Sequence, residues 1–181
     1  MRGLDFGHEM IGFMRGWAGL VEGDSIPLDL ALVEDLANKG GTILLSSRTN
    51  PFKKAEALQS CRDNFEKFGL DCLIALGGED TLGVAHRLFS EYNLPTIGVP
   101  KTMDNDLEGT DYTFGFDSAT EVAVDAADRL KDTARSHSRI MVLEVMGRHA
   151  AGWPCRPRWR PGRTGCLFRK CLVIFRKWWP R

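Results

Sequence analysis

The amino-acid sequence predicts an α/β fold, a mostly parallel sheet with helices on both faces. Short apolar runs alternate with segments of helical periodicity from about residue 27 to residue 145. Polar, often glycine-bearing loops follow the apolar runs, and in parallel sheets ligands gather at those carboxyl ends of strands. The length of 181 residues and 43% hydrophobic content suffice for one core, so a single domain or one large lobe is expected.

Residues 1–24 are Gly-rich and mix aromatic with charged positions, which reads as loop and short strand. From Pro27 to Lys39, Leu28, Leu30, Leu32, Val33 and Leu36 follow a helical period, and Asn38-Lys39-Gly40-Gly41 supplies a stop. Thr42 to Ser46 reads as a buried strand before the polar loop Ser47-Arg48-Thr49-Asn50-Pro51. Lys53 to Phe68 carries Ala57, Leu58, Cys61, Phe65 and Phe68 at helical spacing, closed by Gly69. The pattern then repeats. Asp71–Leu76 is a strand, 77–81 a tight turn, Leu82–Tyr92 a helix, Pro95–Pro100 a strand, 101–110 a polar loop, and 117–136 a long helix. Arg139–Val145 is a further strand, followed by the loop Met146-Gly147-Arg148-His149. The tail breaks this alternation, because Pro154, Pro157 and Pro161 forbid an interior helix or a central strand.

Charge and cysteine usage narrow the function classes. Basic and acidic residues balance at 24 each, so the chain as a whole points to neither nucleic acid nor a membrane surface. The balance conceals an asymmetry, since from Pro154 onward every charged residue is Arg or Lys. Five cysteines form no Cys-x-x-Cys pair, and no run approaches the ~18 apolar residues of a membrane span, so a reduced, cytoplasmic setting is expected.

Chemistry concentrates in the loops after strands. Gly77-Gly78-Glu79-Asp80-Thr81 lies between a strand and a helix, where glycine backbone N–H groups and the helix dipole suit a phosphate. Two carboxylates in such a cradle call for a cation, Mg²⁺ being the natural one. The same glycines also suit a plain turn, with Glu79 capping the helix. Lys101, Thr102, Asp104 and Asp106 crowd one loop that can hold a transferring phosphoryl group while Asp104 takes a proton from an attacking alcohol. Asp-Asn-Asp alone also suits a solvated turn. In the third loop Arg148 has the fork geometry for a sugar phosphate and Met146 an apolar surface for the ring. Arg48 is a further candidate for phosphate.

Four ordered motifs, Gly77-Gly-Glu-Asp-Thr-Leu-Gly83, Pro100-Lys-Thr-Met-Asp-Asn-Asp106, Asp111-Tyr-Thr-Phe-Gly-Phe-Asp117 and Glu144-Val-Met-Gly-Arg-His149, closely resemble the phosphofructokinase family. The resemblance covers about residues 10–153 and includes Ser46-Ser-Arg-Thr-Asn-Pro51. It implies a Mg²⁺-dependent transfer of phosphoryl to the 1-hydroxyl of fructose 6-phosphate, with pyrophosphate or ATP as donor. Asp104 matches the base, Asp106 and Lys101 assist in the same loop, and Glu79 matches the metal-binding acid. Thr102, Met146, Gly147 and Arg148 match substrate contacts, and Arg139 an arginine that reaches the sugar phosphate of a neighbouring subunit, which implies a homo-oligomer in complete relatives. Arg48, Gly77, Gly78, Asp80 and Thr81 fall on the donor-phosphate side. At positions 80 and 101 pyrophosphate-using members carry the residues seen here, where ATP-using members often carry glycine. A carboxylate at position 80 repels a nucleotide's alpha-phosphate, while Lys101 neutralises a leaving phosphate. Pyrophosphate is the donor this comparison favours.

Relative to the family pattern, the opening strand and its Gly-rich donor loop are not found before residue 10, and the resemblance stops near Trp153. Residues 1–153 are therefore expected to form part of the donor-binding lobe. Residues 154–181 are expected to be a non-native or disordered basic tail, whose Arg, Pro, Cys and Trp enrichment without acids suits a shifted reading frame. The alternative function is a fragment that binds phosphate ligands without turnover.

Overall fold

A computed structural model of the chain describes residues 2–36 and 39–145 together with the strands 164–167 and 171–175. It divides into two compact units, residues 1–75 with 80–98 and residues 76–79 with 99–181, the division falling within two strands.

In the first unit, β1 (Ile11–Phe13) and β2 (Ser25–Pro27) pair antiparallel across α2 (Trp17–Glu22), after a short α1 (Arg2–Asp5). Gly23 ends α2 in the left-handed region at φ 72, returning its N–H to the Gly19 carbonyl. Two more carbonyls at that helix end are served from α4 (Ala55–Lys67), whose Asn64 Nδ2 donates to Leu20 O at 2.8 Å and Val21 O at 3.1 Å. Burying a helix end requires such partners. Leu20, Cys61 and Phe65 fill the interface beneath, and Phe13 meets Phe68 edge-on at 5.5 Å. The desolvated Cys61 thiol is pushed up to about 12 from its ordinary 9.0, because burial disfavours the thiolate. Helix α5 (Glu79–Tyr92) buries Val84, Ala85 and Leu88 at helical spacing, while Arg87 lies 3.8 Å over the Phe52 ring and grips Glu91.

The expected strand at 42–46 does not form. Leu45 takes φ 59, which interrupts an extended run, and Leu44 turns inward toward Gly12 while its carbonyl accepts from Arg15 N at 2.6 Å. The helix expected over 27–39 shortens to α3 (Leu30–Glu34), capped by the Asp29 side chain on Leu32 N. Its Leu30 and Leu32 are exposed and Val33 only half-buried, so the apolar stripe buries too little to extend the helix past a short capped turn.

The strands β3 (Leu73–Gly77), β4 (Thr96–Thr102) and β5 (Phe114–Gly115) form one sheet in that order. In the first unit Leu73 N donates to Pro95 O at 2.8 Å. In the second, β4 runs parallel to β5 with Lys101 opposite Phe114 and Thr102 opposite Gly115. The expected α/β fold, a parallel sheet flanked by helices, is observed.

Helix α6 (Phe116–His137) follows directly and carries Phe116, Thr120, Ala123, Ala127 and Ala134 on its buried side. Small residues there let β6 (Met141–Val145) approach closely, with Met141, Leu143 and Val145 packed on the helix and Val142 facing outward.

One strand differs in its company. β6 pairs antiparallel with β8 (Cys171–Phe175), which pairs in turn with β7 (Thr164–Leu167), so this third sheet is antiparallel. The segment for which the sequence predicts no regular structure thus supplies two strands. Three of its four prolines lie at 154–161, whereas Cys171-Leu-Val-Ile-Phe175 is an unbroken run rich in strand formers. Among the described residues no helix is long and apolar enough to cross a membrane.

Candidate active site

Residues predicted for two of the candidate loops lie at two adjacent strand tips. At the end of β3, Gly77 is buried and Gly78 half-buried, and α5 begins at Glu79, three residues earlier than its apolar period indicates. The two glycines alone make the turn, and acids at the first helical positions are favoured by the dipole. At the end of β4, Thr102 leads into the loop 103–107. A Cβ placed on Gly78 would stand 3.7 Å from Thr102 Cβ and 3.9 Å from Thr102 Oγ1. The glycine cradle and the acidic loop are therefore neighbours, with only a hydrogen on the facing side of Gly78.

The acidic loop is held internally. Thr102 Oγ1 accepts from Asp104 N at 3.2 Å, and Thr102 O accepts from the Thr113 hydroxyl at 2.6 Å. Asn105, at φ 52, receives Thr113 N on its Oδ1 at 2.8 Å and donates from Nδ2 to Asp111 O at 3.2 Å. One atom stands out: Asp104 Oδ1 is buried without a hydrogen-bond partner. A buried unpaired carboxylate oxygen is costly, and such atoms concentrate where a ligand or a proton is received. Lys101, Asp106 and Glu79 are exposed.

The remaining candidates divide. Asp80 and Thr81 follow Glu79 in the first turn of α5 and belong to the first unit, as does the exposed Arg48. Arg139 is exposed at the amino-terminal approach to β6, with its N–H on Ala134 O, whereas Val145 ends that strand. Met146, Gly147 and Arg148 lie outside the described residues. The structure thus brings Gly78 against Thr102, which leads into the acidic loop, and it leaves Arg139 at the amino-terminal approach to β6. Sequence reasoning missed Asn105 and Thr113. Asparagine inside an Asp-Asn-Asp turn is a residue type that tolerates the left-handed region, which is a signal for Asn105. Nothing local marks its partner Thr113.

Among the described residues no three His, Cys, Asp or Glu side chains converge on one point.

Comparison with known proteins places this architecture. A protein 65% identical over 153 residues is the pyrophosphate–fructose 6-phosphate 1-phosphotransferase of Dictyoglomus thermophilum, the match covering 84% of this chain and 44% of that protein. The ATP-dependent 6-phosphofructokinase 3 of Streptomyces coelicolor (strain ATCC BAA-471 / A3(2) / M145) is 52% identical over 150 residues, covering 83% and 43% respectively. In solved structures, phosphofructokinase from Saccharomyces cerevisiae superposes with a TM-score of 0.73 at 30% identity, over 83% of this chain and 24% of that one. The chain spans less than half the length of these relatives. The family model described as Phosphofructokinase matches residues 1–154, which takes in both strand tips, the acidic loop and α6. On that match this chain belongs to the phosphofructokinase family.

Proposed function

We propose that this chain carries part of a phosphotransferase site that moves a phosphoryl group to the 1-hydroxyl of fructose 6-phosphate, with pyrophosphate as the favoured donor and ATP as the other. The observation that supports it most is the placement of Gly78 against Thr102 beside a loop whose Asp104 Oδ1 is buried and unpartnered. A phosphate lying on Gly77 and Gly78 has Thr102 within its neighbourhood. An alcohol arriving at the same place finds a carboxylate oxygen with a free lone pair for its proton.

The roles follow from chemistry and family likeness. Asp104 accepts the hydroxyl proton as the nucleophile forms, and Asp106 assists from the same loop. Lys101 offsets charge on the leaving phosphate. Thr102 orients the acceptor, with Met146, Gly147 and Arg148 assigned to the sugar phosphate by likeness alone. Arg48, Asp80 and Thr81 are assigned to the donor in the same way, and Arg139 to the substrate of a neighbouring copy in a homo-oligomer. Glu79 would hold Mg²⁺ together with the donor phosphates, and the ion when bound supplies charge neutralisation for transfer. A cytoplasmic setting goes with this reading.

The test is a coupled assay of the purified chain with fructose 6-phosphate, Mg²⁺ and either pyrophosphate or ATP. Turnover with pyrophosphate that falls by roughly 10²-fold or more in Asp104→Asn is expected, the range of general-base losses. Turnover unchanged in that variant would remove Asp104 as the base.

A further inference from the structure

We propose that Asn105 is a positioning residue, a clasp that fixes the backbone of the acidic loop so that Asp104 presents its unpartnered oxygen. The proposal rests on the phosphotransferase reading for its kinetic arm and on geometry for the rest. Three observations carry it.

The first is backbone conformation. Asn105 sits at φ 52, a region unfavourable for an ordinary L-residue and one that asparagine tolerates better than most residues with a side chain. Such outliers persist where the surroundings over-determine them. The second is the set of bonds that do so. The Asn105 amide spans from the loop to the segment before α6, accepting from Thr113 N at 2.8 Å and donating to Asp111 O at 3.2 Å. Thr113 is 3% exposed, so its N–H has no water to turn to if Oδ1 is removed.

The third is what the clasp closes upon. The same Thr113 donates its hydroxyl to Thr102 O at 2.6 Å, and Thr102 Oγ1 accepts from Asp104 N at 3.2 Å. Thr113 therefore ties both ends of the Thr102-to-Asn105 turn, and Asp104 is the residue between them that keeps an oxygen free. Holding the Asp104 backbone fixed limits where its carboxyl can reach, which helps to keep that oxygen buried and unpaired. Asn105 touches no reacting atom in this scheme; it acts through the loop.

The experiment compares Asn105→Ala, Asn105→Gly and Asn105→Asp in the purified chain, with Thr110→Ala as the control. Glycine keeps the backbone freedom without the amide, and aspartate keeps the oxygen that accepts from Thr113 N. Thr110 hydroxyl donates to Tyr112 O at 2.8 Å in the same loop region but bonds to nothing in 102–106. Expected in the Ala and Gly variants is a fall in kcat of about 10–100-fold with KM for both substrates within about twofold, because misplacement by about 1 Å costs up to 10²-fold. Asn105→Asp should regain most of that loss and Thr110→Ala should show none.

Two resonances are read in parallel. The Thr113 amide should exchange faster in the Ala and Gly variants but not in Asp, and the Asp104 side-chain carboxyl ¹³C shift should move with it. Unchanged exchange and an unmoved carboxyl resonance in Asn105→Ala would overturn the proposal, as would an equal effect from Thr110→Ala. If the unsubstituted chain shows no turnover with either donor, the phosphotransferase reading of this chain fails, and the two resonances still decide the clasp.

Discussion

Replacing Gly78 by alanine separates what the fold needs from what a phosphate ligand needs. The added Cβ would stand 3.7 Å from Thr102 Cβ and 3.9 Å from Thr102 Oγ1, both ordinary van der Waals separations. Gly78 is absent from the glycines with positive φ, so alanine meets no backbone strain there. On stability the substitution should be neutral or favourable by about 0.4–1 kcal/mol, through lower entropy of the unfolded chain. On binding the outcome is opposite. A methyl already in contact with Thr102 leaves no space for a phosphate oxygen between the two strand tips, and the hydrogen bonds to charge made there are lost. Each such bond is worth about 1.5–3 kcal/mol, which corresponds to a roughly 10- to 150-fold weaker affinity for pyrophosphate. Calorimetric titration of pyrophosphate in Mg²⁺ buffer reads the affinity, and a urea melt of the same sample reads the stability. Wild-type affinity in Gly78→Ala would refute the cradle. A large loss of stability would refute the geometry from which the contact was inferred.

Two further outcomes concern the first unit. Gly19→Ala would put its methyl 2.6 Å from Met14 N and 2.8 Å from Asp24 O, closer still to the Met14 carbonyl, all backbone atoms that cannot step aside. A loss of ~3 kcal/mol or more is expected in the urea midpoint, at the upper end of overpacking costs; a near-neutral change would show that the loop before α2 can move. A thiol reagent at neutral pH should label the exposed Cys72 and spare Cys61, whose thiol is buried and held neutral. Because the folded value of Cys61 is raised, its contribution to stability is present below pH 9.0 and lost as the pH climbs from there toward about 12. Cys61→Ala should lack that part of the alkaline loss, measured as melting temperature against pH, and rapid labelling of Cys61 in the native protein would contradict the burial.

The parts of the fold that were legible are those decided locally. Gly77-Gly78 between an apolar strand and an amphipathic helix announces β3 and α5 at once, and the period of 117–136 marks α6 within a residue at each end. Elements that depend on a distant partner were not legible. Thr42–Ser46 has strand composition, but Leu44 spends its carbonyl on Arg15 and its side chain on Gly12, contacts about 30 positions away in sequence that no window displays. The helix expected over 27–39 had a period, but its Leu30 and Leu32 stay exposed. β6 was foreseen as a strand, yet not its antiparallel neighbour, because prolines earlier in the tail drew the reading away from the run at Cys171–Phe175. At the candidate site the sequence marked Gly78 and Thr102, which the structure sets side by side. The Asn105 and Thr113 pairing that holds the acidic loop is a matter of loop closure, and only coordinates give it.

The ladder between β6 and β8 matches every residue from Met141 to Val145 with one from Phe175 back to Cys171. The β8-facing groups of β6 are thus paired by residues beyond the family match, while β6 stays at the edge of its sheet. A chain cut at residue 163 would lack β7 and β8 and leave the alternate N–H and C=O groups of β6 that face β8 without strand partners.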